Sequence, residues 1–526
     1  MVASLLRVLT RGIQDERLYF KPTIYPFMKV YRPAGRFTTQ WIRIDFDNVP
    51  DFGSTGFFRI QRKGHLVTRL YLVSTMPDIW TPQAAARAAA VGGSGEFIGP
   101  SFGWTNSLGH ALVQNASLSI AGDVVERIDS RLLEVMDEYS TPLEKETVVN
   151  RLISRKDNGF NSSSFGHGVL PHVTVVPLPF WFTRGDTGCA LPIDAIAYDE
   201  VRVGIQFRDV NGLYYTEARN VAGEVAALGG GGGSGSATSA PQGSALWGMA
   251  NSVFYQRSDS GSPVPGLTDL SAAVIPGITM PGRFSLGETY VLAEYVYLDQ
   301  PEANRFRLAD LQMSIVQHYS VKPTDTNGLN RVRIPFNVPN PARDLFWMVQ
   351  RVEATAYNAH FLATRDLSGY DTIVGYDISA APWWPNATGL SALYAGPLRP
   401  AFALSDSEPV SSVALVYEGN LVRFGTTTPS LFRSVLPSLE QKKSPWVNRY
   451  YYNFSFGVEN GLNPFSRSCG EANLDKMKRI ELQMDFNPMA GSYDPNNVPR
   501  YVVYVWAETY NILRVYGGRA GMLFAY

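Results

Sequence analysis

The feature that most constrains this chain is that its two halves repeat one another. In the first half, a strand and an acceptor-rich turn read ALVQNASLSIAGDVVER (Ala111–Arg127). In the second, SSVALVYEGNLVRF (Ser411–Phe424) has the same strand, Gly-containing turn and apolar restart. Further on, DEVRVGIQF (Asp199–Phe207) is echoed by MKRIELQMDF (Met477–Phe486), and VLAEYVYL (Val291–Leu298) by VVYVWAETY (Val502–Tyr510), in the same order. Period-two segments that recur in order imply a duplicated β domain.

The rest of the chain agrees. Compact or alternating apolar runs bounded by Gly, Pro and Asn predict strands at Trp41–Phe46, Gly56–Gln61, Leu66–Thr75, Leu112–Ile120, Val169–Phe182, Glu200–Phe207 and Tyr290–Leu298. A second set is predicted at Arg331–Phe336, Leu345–Val352, Ser411–Tyr417, Arg449–Val458, Lys478–Phe486 and Tyr501–Val515. A length of 526 residues suits two large β units. The 27 Tyr, 28 Phe, 47 Gly and 34 Pro, with only 18% charged residues, favour pleated, turn-rich structure over helical bundles. The clearest helix is Ser130–Tyr139, with Ser130 as its cap and Leu132, Leu133 and Met136 on one face. Asn220–Gly287 contains LGGGGGSGSATSAPQGS (Leu228–Ser244), which buries too little apolar surface to pack and reads as a surface loop. The domain boundary does not fall there, because Tyr290–Leu298 fits as the closing strand of the first unit.

Charge and cysteine content exclude several functions. Lys+Arg 46 against Asp+Glu 47 lacks the basic excess of a protein that holds nucleic acid directly. Cys189 and Cys469 are too far apart for a secreted disulfide framework, so the chain can mature in a reducing compartment. No apolar run reaches the roughly 18 residues that span a bilayer, which predicts a soluble cytosolic product.

Nor does any segment carry catalytic, cofactor or metal chemistry. Gly229–Gly233 is followed by SGSAT with no lysine to meet a phosphate. Among six histidines, His167 and His172 form the one close pair, and no neighbouring Cys or acid completes a zinc set. Cys189 has only Asp186 and Asp194 nearby, so it reads as a packing residue. The tripeptide Arg184–Asp186 reads as a structural turn, and Asp137/Glu138 with Glu144/Glu146 as the solvated face of an exposed helix. Of four N-x-Ser/Thr sequons, Asn115 and Asn453 fall in predicted strands, leaving Asn161 and Asn386 as the glycosylation candidates.

The amino end, GIQDERLYFKPTIYPFMKVYRPAGRFTTQWIRIDF, resembles the opening of major capsid proteins of nucleocytoplasmic large DNA viruses through Gln14, Asp15, Phe27, Lys29, Tyr31 and Arg32. Val176–Ile205, Val291–Phe306, Arg343–Arg351 and Tyr510–Tyr526 resemble that family in the same order. Phe20-Lys21-Pro22 departs from it, as does the length of the Gly-rich loop.

The resemblance implies an all-β chain of two tandem eight-stranded jelly rolls with few short helices in loops. It implies an arm over 1–26, a first roll over 27–300 with the surface loop 220–287, a linker over 301–310 and a second roll over 311–526. The implied function is structural: a homotrimer forms a pseudo-hexagonal capsomer that tiles an icosahedral shell in the virion, after synthesis in the host cytoplasm. Partners would be neighbouring capsomers and, through the arm, minor capsid proteins or an inner membrane, with no direct nucleic acid. A short amphipathic helix, Ala3–Thr10, could begin that arm, which either points inward or docks on its own subunit. The apolar tail Met522–Tyr526 must bury against its own subunit or a neighbour. The alternative reading is a carbohydrate-binding jelly-roll or β-sandwich protein, in which Trp383 and Trp384 stack on sugars.

Overall fold

The computed structural model describes residues 36–78, 101–155, 172–185, 187–217, 285–352, 360–361, 363, 408–418, 421–426, 428–439, 442–445, 449–457, 470–488, 496 and 498–524. Its first half holds β1 (Phe37–Ile44), β2 (Thr55–Arg59), β3 (Leu66–Met76), β4 (Ser101–Trp104), β5 (Val113–Ile120), β6 (Asp123–Asp129), β7 (His172–Pro177), β8 (Val201–Phe207), β9 (Tyr214–Glu217) and β10 (Thr289–Leu298). These form antiparallel sheets in the orders β1-β10-β3-β7 and β2-β8-β5-β6, with a small β4-β9 pair.

The second half holds β11 (Leu311–Ser320), β12 (Thr324–Asp325), β13 (Arg331–Phe336), β14 (Ala342–Arg351), β15 (Val410–Tyr417), β16 (Leu421–Thr426), β17 (Tyr451–Ser455), β18 (Ile480–Phe486), β19 (Tyr501–Tyr516) and β20 (Arg519–Met522). Its sheets run β11-β19-β14-β17, with β12 and β20 also on β19, and β13-β18-β15-β16.

With the short strands β4, β9, β12 and β20 set aside, each half has eight strands. Numbered within its half, each pairs the first, eighth, third and sixth in one sheet and the second, seventh, fourth and fifth in the other. Both halves are jelly-roll sandwiches, as the resemblance implied. The three sequence echoes fall on matching positions: the β5–β6 and β15–β16 hairpins, the seventh strands β8 and β18, and the eighth strands β10 and β19.

Alternation does the folding work. In β13, RVRIPF, Val332, Ile334 and Phe336 turn inward while the arginines and Pro335 stay in water, and β18 alternates in the same way. Trp347 is fully buried in the second sandwich, its ring parallel to Tyr452 at 5.6 Å and to Phe424 at 6.4 Å. Phe432 meets the same indole edge-on at 5.5 Å. At the end of β19 the turn to β20 passes through Gly517 and Gly518, both with positive φ (56° and 79°), the geometry a two-residue hairpin turn needs.

Pairing registers also give the sandwiches a direction. The start of β10 pairs with the end of β3 (Thr289 with Ser74), and the start of β5 with the ends of β8 and β6. The long connections 77–112, 130–171 and 208–288 therefore share one end of the first sandwich. At the opposite end Phe37 pairs with Leu298, and in the second sandwich Leu311 pairs with Val515. Chain entry, the crossover and the carboxy-terminal hairpin thus share the short-loop end.

Local departures from expectation have plain causes. Leu112 closes a helix, α1 (Leu108–Leu112), rather than opening β5. Of the run expected over Val169–Phe182, the described residues form a strand over His172–Pro177 and a 3₁₀ turn at Trp181–Thr183, after two prolines. The helix over 130–140 is present as α2 (Ser130–Ser140), followed by α3 (Leu143–Leu152), but its cap is Asp129: a carboxylate oxygen accepts from Leu132 N at 2.8 Å. The crossover, expected as a plain linker, is a helix, α4 (Gln300–Leu308). Among the described residues no helix is long and apolar enough to cross a membrane.

The stacked rings make Trp347→Ala the most damaging single truncation in the second core. Loss of the indole should cost about 3–5 kcal/mol, read as a lower midpoint in urea unfolding followed by near-ultraviolet circular dichroism.

Candidate functional site

The most elaborate constellation of side chains lies between the two sandwiches. The edge strand β6 of the first meets the edge strand β11 of the second, and Gln317 Nε2 donates to Val125 O at 2.6 Å. Beside it, His318 Nδ1 lies 2.8 Å from Glu126 Oε1, with both side chains wholly buried. On the adjacent strand Glu508, in register with His318, accepts from Arg184, which arrives from the 3₁₀ turn after β7. Burial works to raise the Glu508 carboxyl, but Arg184, with His318 and Arg343, holds it well below the usual carboxylate range. The expected structural turn at Arg184 is thus also a cross-sandwich anchor, and its guanidinium is buried.

Helix α2 extends the contact across the outer face of the β11-β19-β14-β17 sheet. Its cap Asp129 also accepts from Trp506 Nε1 at 2.8 Å. Two residues on, Arg131 lies over the Tyr504 ring at 4.3 Å and donates to Gln350 Oε1 at 3.2 Å. At its end Tyr139 donates its hydroxyl to Tyr451 O at 2.8 Å, and burial pushes that hydroxyl's pKa well up, so it stays a donor.

The acidic residues of α2 correct the sequence expectation. Glu138 is fully buried and meets Arg449 at 2.6 Å, Lys443 at 3.4 Å and Arg155 at 3.6 Å. Asp137 accepts from Arg155 at 2.5 Å, and Glu146 meets Lys443 at 2.8 Å, whereas Glu144 does lie in water. Glu134, which the sequence did not single out, sits between His110 and Arg155, each at 2.7 Å. Although burial opposes its charge, Arg155 and His110 hold its carboxyl far below the normal range. The second sandwich covers the helix face that periodicity alone left to solvent.

Both ends of the contact are fastened. At the short-loop end Tyr198 N donates to Gly518 O at 2.9 Å, and Ala520 N to Asp199 Oδ2 at 2.8 Å. Cys189 is buried there, its Sγ 3.9 Å from Ser314 O. At the long-loop end His360 Nε2 lies 2.6 Å from Gly212 O. The carboxy-terminal tail folds back along β19 through Leu523, whose N donates to Ile512 O at 2.9 Å. Asn511 holds the Phe524 backbone, but the side chains of Leu523 and Phe524 are half exposed.

Other expectations lie outside the described residues: the sequons Asn161 and Asn386, Trp383 and Trp384, Gly229–Gly233, His167, Asp186, Cys469, the arm over 1–26 and nearly all of 220–287. Asn115 and Asn453 do lie in strands, and Asn453 is buried. Among the described residues no group of three His, Cys, Asp or Glu is placed to hold a metal ion. The arrangement holds and orients two folds; it offers no open nucleophile or base.

Glu508→Gln leaves the buried Arg184 without its carboxylate, while His318 keeps Glu126. We expect a loss of about 3–5 kcal/mol at neutral pH, the range for breaking a buried pair. Because the folded carboxyl is depressed, its contribution is complete above the unfolded value of about 4.3 and is lost as pH falls below that. Urea midpoints across this acid range should therefore fall less steeply for the variant than for the wild type.

Comparison with known proteins gives a consistent picture. A family model for the major capsid protein N-terminus matches residues 26–236, and one for the large eukaryotic DNA virus major capsid protein matches residues 302–521. Capsid protein 1 of Acanthamoeba polyphaga mimivirus is 28% identical over 357 residues, 66% of this chain and 49% of that protein. The chain thus spans about half of that relative. The major capsid protein of Frog virus 3 (isolate Goorha) is 21% identical over 518 residues, 94% of this chain and 92% of the relative. Among solved structures, PBCV-1 VP54, fitted into a reconstruction of the virophage Sputnik, shares the fold with TM-score 0.61 and 17% identity over 95% of this chain and 100% of that one.

Proposed function

The chain belongs to the major capsid protein family of large eukaryotic DNA viruses, and from that premise we propose that it builds an icosahedral shell as a homotrimer. The observation that carries this reading is the presence of two sandwiches of identical strand order, joined along one seam in a single chain. Three such chains supply six similar walls, which suits a near-hexagonal lattice of heterologous contacts. The work is structural, not enzymatic. Neighbouring capsomers complete the shell in the virion, after synthesis in the host cytoplasm.

Within this reading the first roll runs over 27–300 and the second over 311–526, joined through 301–310. The end with long connections faces outward. The arm over 1–26 works inward on minor capsid proteins or an inner membrane, and the half-exposed Leu523 and Phe524 meet a neighbouring subunit.

Size-exclusion chromatography with light scattering on the purified chain should give three times the chain mass, with no monomer at micromolar concentration, as expected for interfaces above about 2,000 Å². A monomer at that concentration would sink the reading. Deletion of 1–26 should leave the trimer intact and abolish shell assembly, read by light scattering of the purified chain and electron microscopy of assembled particles.

A further inference from the structure

Among the described residues three histidines are buried, and their surroundings differ. His110 lies 2.7 Å from Glu134 and His318 2.8 Å from Glu126, so a proton added to either ring meets a carboxylate. His360 has arginines instead.

The ring of His360 sits at the long-loop end of the seam. Its Nε2 is 2.6 Å from Gly212 O, and because a carbonyl can only accept, this nitrogen carries a proton and donates it. The His360 carbonyl accepts from Gln350 Nε2 at 2.8 Å, and Gln350 Oε1 accepts from Arg131 at 3.2 Å. The chain of bonds thus leaves the first sandwich at α2, passes through the second and returns at Gly212. Arg208 closes the other side, donating to Ala111 O at 2.8 Å and to Ser130 Oγ at 2.9 Å. Gly212 brings these groups together: a Cβ there would lie 2.9 Å from Arg208 Cδ and 4.0 Å from His360 Nε2.

The elements packed around the ring supply more positive than negative charge. Arg208 and Asp209 precede Gly212, Asp129 and Arg131 stand at the start of α2, and Arg351 follows Gln350 on β14. Tyr504 on β19 lies beneath Arg131, and Tyr451 on β17 donates to Phe361 O at 2.7 Å. Of the two acids, Asp129 is engaged by Leu132 N and Trp506, and the Asp209 carboxylate lies beside Gly53. Burial first, then Arg208 and Arg131, keep the imidazole neutral well below the usual histidine range, against the pull of the Gly212 carbonyl. Arg208 itself is pushed down to about 10 by burial and by Arg131.

We propose that His360 is an acid trigger: its protonation sets a third cation beside Arg131 and Arg208 and unfastens the long-loop end of the seam while the short-loop end stays closed. The short-loop fastening runs from Tyr198 N to Gly518 O and from Ala520 N to Asp199, with no histidine in either bond. A ring released into water takes up its proton near pH 6.5, whereas the closed contact resists it to lower pH. The contact is therefore complete above about pH 6.5 and is lost as pH falls below that, with the opening equilibrium rising about tenfold per pH unit.

The test is hydrogen–deuterium exchange with mass spectrometry on full-length wild type and His360→Gln, at about pH 7.5 and about pH 5.5 and corrected for intrinsic exchange rates. In wild type, protection over Arg208–Leu213 should fall about tenfold between the two conditions, while the amides of Tyr198 and Ala520 keep theirs. Glutamine retains a donor but cannot take up the proton, so the variant should protect Arg208–Leu213 equally at both. Unchanged protection in wild type, the same fall in His360→Gln, or an equal fall at both ends of the seam overturns the proposal. If His360→Gln does not fold, Arg131→Gln decides: with one opposing guanidinium gone, opening should need a lower pH, and an unmoved midpoint excludes the trigger.

Discussion

A carboxylate shut away from water needs positive charge beside it, and the nearest cation to Glu508, Arg184, comes from the other sandwich. Its partner Arg184 belongs to the first sandwich, and His318, on the strand beside Glu508, reaches back across the seam to Glu126. Burying such groups is expensive, and their attraction offsets that cost only with good geometry. A slide of one residue along β6 or a rotation about the seam would leave buried charges unpaired. The seam therefore contributes orientation more than strength, whereas an apolar joint of the same area would tolerate many angles.

Orientation matters because both sandwiches have a direction. The long-loop ends meet through His360 and Gly212, the short-loop ends through Tyr198 and Gly518, and α2 bridges the faces between them. The sandwiches stand side by side with like ends together. Gly518 shows how close the lower contact is: a Cβ there would lie 2.8 Å from the Tyr198 ring, on a residue whose φ of 79° already favours glycine.

Much of this was legible in the sequence. The echoed segments proved to be topological equivalents, because half-buried strands in matching positions face the same inside–outside demand and keep the same alternation. The seam was not legible. Leu132, Leu133 and Met136 marked one face of α2 correctly, but Asp137 and Glu138 looked solvated because nothing near them in sequence neutralises them. Arg155, Lys443 and Arg449 are 18 to 311 residues away. The Asp129 cap was missed for a related reason: Ser130 caps equally well by local rules, and Asp129 also has to accept from Trp506, which only the folded second half supplies. Buried charge pairs made by long-range packing leave no periodic trace.

Duplication also explains why equivalent positions differ in chemistry. The internal seam is shut away from water, so it uses fully desolvated groups such as His318 and Glu126. The matching outward strands β1 and β16 lie at sheet edges in water, where ionic groups arranged as in the seam would be hydrated and screened. On β1, Thr38, Thr39 and Gln40 lie between Phe37 and Trp41, so the strand pairs a soluble backbone with two large apolar anchors. The same strand position thus carries the wholly buried His318 in the second sandwich and the exposed Trp41 and Arg43 in the first.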